Sequence, residues 1–190
     1  MFSRIPPVTQ ALLIANALLF LLQSVLGPAT FLDFMLWPPG EHLLGYEGYT
    51  PVYAGFLPWQ LISYGFLHGS LPHLFFNMLA LVMFGALLEA TWGSRRFATY
   101  WFVSVAGAGL VQLIVAGYAM QQGAEPYPTV GASGGVFGVL LAYGMLFPNQ
   151  RVMLLFPPIP MRARTLVIVY GALELFLGLS GARTGVAHFA

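Results

Sequence analysis

The chain has 190 residues, of which 58% are hydrophobic, 15% aromatic and 7% charged, with a formal net charge of +1 and no cysteine. Seven basic and six acidic side chains cannot cover a water-soluble domain of this length, where about a quarter of residues are normally charged, so the surrounding solvent is lipid. The small net charge and scattered arginines argue against a nucleic-acid partner, and the lack of cysteine excludes disulfides, cysteine-ligated zinc and thiol catalysis, leaving an oxygen as nucleophile.

Taken in chain order, five complete apolar segments stand between polar or Pro/Gly-rich breaks, at Thr9–Leu26, Leu71–Ala90, Phe97–Met120, Ser133–Phe147 and Thr165–Leu179. A sixth begins near Gly185 and stops at Ala190. A spanning helix needs about 20 apolar residues, fewer when it packs short. The pattern therefore predicts an all-α polytopic membrane helical bundle, a single domain over residues 1–190 whose sixth helix is cut short. The first segment has no small-x-small cleavage site after it and is read as a retained span rather than a secretory signal. The connection from Gly27 to Ser70, rich in proline and aromatic residues, is expected to be a half-embedded loop with its rings among the headgroups. No repeat, low-complexity tract or second domain interrupts the chain.

Basic residues prefer cytoplasmic loops. Arg4, Arg95, Arg96, Arg151, Arg162 and Arg164 all fall on one side of this segmentation, while Asp33, Glu41, Glu47 and Glu125 fall on the other with Arg183 as the basic exception. The expectation is a multi-pass protein of a bacterial inner (plasma) membrane with a cytoplasmic N-terminus.

Polar groups inside spans are costly and mark function. The second segment opens with His68, His73 and Asn77; the last two are four apart and share a helix face. The fourth opens with Gly131-Ala132-Ser133-Gly134, so Ser133 stands at a helix N-terminus where free N–H groups favour a developing anion. Gly134, Gly138 and Ala142 form a small-residue stripe that permits close approach of a neighbouring helix. His188 enters from the same side at a similar depth. These groups divide the labour of acyl transfer: Ser133 as nucleophile, a histidine of the sixth segment as general base, and Asn77 with His73 as donors to an oxyanion. The bland alternatives are a small residue at a helix crossing for Ser133 and an interhelical hydrogen bond for Asn77. His68 reads as structural, holding the outer loop. A metal site from His68, His73 and His188 lacks a carboxylate and is a thin case, and the chemistry requires no cofactor. Glu89 with Arg95 and Arg96 reads as a turn and interface anchor. Asn16, Gln23 and Gln112 read as interhelical hydrogen-bonders, and Glu174, inside the fifth segment, has no assigned role.

Three of these patterns, in order and on correctly oriented segments, resemble the rhomboid intramembrane proteases. They are His68-x4-His73-x3-Asn77, Glu89-x2-Trp92-Gly93, and Gly131-x-Ser133-Gly134. The resemblance covers about Thr9 to Ala190. It implies a six-helix core, a Ser–His dyad without an acidic third member, and an oxyanion site made by Asn77, His73 and the Ser133 backbone N–H. It also implies single-span transmembrane proteins as substrates, cut near the outer membrane boundary. Phe137 occupies a position that is often tyrosine in the family and packs against the catalytic histidine; it keeps the ring and loses the hydroxyl. The family's sixth helix reads Ala-His-x2-Gly-x3-Gly, and many relatives carry a second histidine three residues after the first. The base is then either His188 or the position after Ala190, and the sequence is expected to be a truncated fragment. The rival readings are a rhomboid-fold pseudoprotease that binds membrane clients without cutting them, and a small transporter.

Overall fold

The computed structural model describes residues 5–153 and 159–179, with side chains described as far as residue 172 in the last helix. Five helices carry the fold: α1 (Pro7–Leu26), α2 (Leu71–Trp92), α3 (Ser94–Gln121), α4 (Ser133–Leu146) and α5 (Ala163–Leu179). The first three are long and apolar enough to cross a membrane. All five begin and end within a few residues of the predicted segments, because the breaks that delimited them are physical helix stops. Gly27 and Gly93, both at φ 81°, end α1 and α2 in a conformation that favours glycine. Pro7 and Pro72 stand in the first turns of α1 and α2, where no amide partner is lost.

Glu89, 2% exposed, joins two of these helices. Its carboxylate accepts from the backbone N–H of Val8 (2.9 Å) and Thr9 (2.7 Å), from the Thr9 hydroxyl (2.8 Å) and from the Ser94 hydroxyl (2.6 Å). It thus caps the N-terminus of α1 and the turn into α3 at once. Among the described residues the partners of Glu89 at this turn are hydroxyls and amides rather than Arg95 or Arg96. At the opposite end the Gln23 side chain accepts from the His68 backbone N–H at 3.1 Å, so α1 and α2 run antiparallel and are pinned at both ends.

The expected small-residue stripe faces α3. A Cβ on Gly134 would lie 2.5 Å from the Ala108 Cβ, one on Gly135 would lie 2.8 Å from the Trp101 ring, and one on Gly138 would overlap the Ser104 side chain. With Tyr100 donating its hydroxyl to the Gly138 carbonyl (2.8 Å), α3 and α4 pack nearly backbone to backbone. Lower on α4, Gly144 admits Val167 of α5. Above that contact a cleft of about 400 Å³ separates α4 from α5, lined by Ser104, Phe137 and Tyr170 among others.

The α1–α2 connection is more ordered than a half-embedded loop. It holds a 3-10 helix (Pro28–Phe34) and an antiparallel hairpin, β1 (Glu41–Glu47) with β2 (Thr50–Gly55), turned at Gly48-Tyr49. Gln60, fully buried, fastens it by accepting from the Trp37 N–H and donating to the carbonyls of Asp33 and Gly55. A second hairpin, β3 (Arg151–Met153) with β4 (Pro160–Arg162), lies between α4 and α5.

Candidate active site

The site is assembled where the two long connections meet. Leu36 pairs with Thr129 through two backbone hydrogen bonds, at 3.0 and 2.9 Å, and Gly131 donates its N–H to the Tyr64 carbonyl at 3.0 Å. The loop entering α4 is therefore stitched to the segment entering α2, and Ser133 and His73 start their helices at the same end of the bundle. Helix α4 has 14 residues, about 21 Å of rise, against a hydrocarbon core of about 30 Å. A helix that short does not by itself reach across the hydrocarbon core.

Ser133 is the first residue of α4 and is 8% exposed, so it does not face lipid. Gly131, at φ 136°, explains how a histidine comes close to it. A Cβ there would lie 2.6 Å from His73 Cε1, 2.8 Å from His73 Nε2 and 3.5 Å from Ser133 Oγ. The imidazole and the hydroxyl border the same small space, and only glycine leaves it open. Ser70 caps α2 by accepting from the His73 backbone N–H at 3.2 Å, which fixes the first turn and with it the imidazole. Asn77 lies one turn further along the same face and is 7% exposed.

Four of these side chains share an unusual state. Ser133 Oγ, His73 Nε2, Asn77 Nδ2 and both ring nitrogens of His68 are buried without a hydrogen-bond partner among the described residues. Buried polar groups are nearly always bonded. These four side chains are gathered where α2 and α4 begin, whereas Asn16 Oδ1, Trp101 Nε1 and Gln112 Oε1, likewise without partners among the described residues, lie in α1 and α3.

His68 lies beside His73 in this cluster. Its backbone N–H, through Gln23, holds the connection, whereas its ring stacks edge-on against His73 with centroids 5.0 Å apart. Burial, and then the His73 ring beside it, lowers its pKa to about 3; a contact with the Phe66 backbone acts weakly the other way. His68 is thus a neutral wall behind His73. Phe137, half-buried, meets Tyr170 of α5 with centroids 5.4 Å apart. Of the residues read as interhelical bonders, Gln23 reaches another element, Asn16 donates to Leu12 of its own helix, and Gln112 reaches Tyr127 in the α3–α4 connection at 3.5 Å. His188 lies outside the described residues, as does the side chain of Glu174. Tyr64 and Gln60, which hold the loops that frame Ser133, were not singled out from the sequence; their signal is a polar or phenolic side chain inside an aromatic-rich connection.

Residues 56–190 match the family model of the Rhomboid domain. The chain is 35% identical over 101 residues to "Rhomboid protein 1, mitochondrial" of Saccharomyces cerevisiae, covering 53% of this chain and 29% of that protein. It is 28% identical over 141 residues to "Rhomboid protease GlpG" of Salmonella choleraesuis, covering 74% and 44%. To "Rhomboid protease GluP" of Bacillus subtilis it is 32% identical over 97 residues, covering 51% and 17%. The chain thus spans less than half the length of these relatives. The apolar helices, the ordered histidine, asparagine and serine positions and the domain match agree: this chain is an integral membrane protein and belongs to the rhomboid family.

Proposed function

We propose that the chain forms the catalytic region of an intramembrane serine endopeptidase. The observation that carries the reading is the cluster of buried polar atoms, Ser133 Oγ, His73 Nε2 and Asn77 Nδ2, without hydrogen-bond partners among the described residues and gathered near Gly131 at the start of α4. The relatives' printed names, two of them proteases, support it.

In this reading Ser133 Oγ attacks the scissile carbonyl while an imidazole takes its proton and later hands it to the leaving amine. The base is a histidine of the C-terminal segment, His188 in this sequence. The tetrahedral oxyanion takes hydrogen bonds from Asn77 Nδ2, His73 and the Ser133 backbone N–H, groups fixed in place before the reaction and therefore costing little reorganisation. Water reaches the site from the end where the two connections meet. Substrates are single-span transmembrane proteins, cut near the outer boundary of a bacterial inner membrane. The clustering of arginines at the other end of the helices supports a cytoplasmic N-terminus.

The test is cleavage of a model transmembrane substrate in proteoliposomes. Ser133→Ala removes the nucleophile and is expected to lower the rate by more than about 10³-fold, and Asn77→Ala by about 10²-fold. A fluorophosphonate probe labels Ser133 in the unmodified protein. Undiminished cleavage by Ser133→Ala refutes the assignment. Absence of both labelling and cleavage in the folded, unmodified protein points instead to client binding without hydrolysis.

A further inference from the structure

At the end of the bundle away from Ser133, the β3–β4 hairpin sets Arg151 directly opposite Arg162. Residues opposed across an antiparallel pair point to the same face, and like charges in that position destabilise the pair. The opposite face holds Val152 and Met161, which pack against the main core, so the hairpin is anchored and its two guanidinium groups cannot turn inward. Both arginines are exposed, as is Arg164 two positions further on.

Among the described residues no carboxylate pairs with them. Asp33, Glu41, Glu47 and Glu125 belong to the connections at the Ser133 end, and Glu89 is fully occupied by Val8, Thr9 and Ser94. Glu174 is about three turns further along α5. Among the described residues none of the three arginines forms an ion pair. The backbone N–H groups of Ala163 and Arg164 are taken by the carbonyls of Gln150 and Pro148, so an anion here is held by side chains. Beside the arginine pair, on the same face, the next cross-strand pair is Met153 and Pro160, with Met153 58% exposed and Ile159 adjacent at 47%. A cation pair next to an apolar pair on one outward face matches the boundary between headgroup and acyl chain.

We propose that the outward face of this hairpin binds an anionic phospholipid. Arg151 and Arg162 grip the phosphate from two strands, Arg164 adds a third guanidinium, and Met153 and Ile159 rest on the acyl chains. Guanidinium groups suit a phosphate because they donate in a planar fork to its oxygens.

The experiment is native mass spectrometry of the full chain in neutral detergent with equimolar phosphatidylglycerol and phosphatidylcholine. The unmodified protein is expected to retain phosphatidylglycerol preferentially, and R151Q/R162Q to lose that preference by roughly tenfold. R95Q/R96Q, which removes the same charge elsewhere on that end, is expected to stay within about twofold, and millimolar inorganic phosphate to leave the bound lipid in place. In phosphatidylcholine alone R151Q/R162Q should unfold at or above the temperature of the unmodified protein, since a repulsive pair has been removed. Should the double variant fold poorly, Arg162→Gln alone makes the same comparison with a smaller loss. Undiminished preference in the arginine variants overturns the proposal. So does an equal loss in R95Q/R96Q, or displacement of the lipid by phosphate.

Discussion

Glu89→Gln is the sharpest test of how the fold is held. The substitution keeps the shape of the side chain and replaces one carboxylate oxygen by an amide that cannot accept. Each oxygen receives two donors, Val8 N–H and Ser94 Oγ at one, Thr9 N–H and Thr9 Oγ1 at the other. Whichever way the amide turns, one first-turn amide of α1, Val8 or Thr9, faces an NH₂ group that cannot accept, while the hydroxyl beside it can rotate and accept instead. Leaving that amide unpaired costs about 1–3 kcal/mol, and the remaining bonds lose the charge that roughly doubled their strength, so the loss is roughly 3–5 kcal/mol. For a chain of this size that lowers the unfolding midpoint by roughly 10 °C. Thermal unfolding in detergent reads the effect, and a cycle with Thr9→Val should show coupling of about 1 kcal/mol or more. Cleavage per folded molecule should stay within about twofold, because Glu89 stands at the end of α2 away from Ser133. A midpoint within about 2 °C of the unmodified protein, additive with Thr9→Val, would refute the argument.

Two further outcomes follow from the site. Gly131→Ala places a methyl 2.6 Å from the His73 ring at φ 136°, a strain of about 1–3 kcal/mol; cleavage should fall more than about tenfold while the unfolding midpoint moves by only a few degrees, and normal cleavage would show that His73 and Ser133 do not share that space. His68 titrates at 6.5 when unfolded and near 3 when folded. The unfolded chain therefore binds more protons between those values, so the contribution is whole above pH 6.5 and is lost as pH falls towards 3, by at most about 5 kcal/mol. The midpoint should drop between about pH 7 and pH 4, and His68→Gln should flatten the profile; an identical slope in the variant removes His68 as the cause.

The helices were legible because each ends at a glycine, a proline or a polar break, and because lipid demands long apolar runs. The α1–α2 connection was less legible. Its hairpin turns at Gly48-Tyr49 with Gly48 at φ 63°, a recognisable two-residue turn, yet β1 reads Glu-His-Leu-Leu-Gly-Tyr-Glu without clean alternation and its register slips between Leu43 and Gly45. Aromatic content alone suggested an interfacial loop and hid the strands. Ser133, His73 and Asn77 were visible as polar groups in apolar runs. The partners of Glu89 were not, because Val8 and Thr9 lie some eighty positions away and contribute mainly backbone amides, which leave no trace in side-chain chemistry.

That difference separates two uses of polarity in one bundle. Glu89 and Gln60 are buried and their bonds are made by fixed parts of the chain, so they stabilise one arrangement and leave nothing over for a ligand. Ser133 and Asn77 are buried and His73 is half-buried, at the other end of α2 and at the head of α4, and among the described residues their Oγ, Nδ2 and Nε2 atoms have no hydrogen-bond partner. An unsatisfied buried polar atom costs about 1–3 kcal/mol, and such a cost is sustained only where the surrounding packing is strong enough to impose it. The close approach of Gly134, Gly135 and Gly138 to α3 and the Glu89 clamp on α1 provide that packing. The clamp stands at the end of α2 away from the cluster, so a variant that loosens Glu89 should lower stability first and activity only through loss of folded protein.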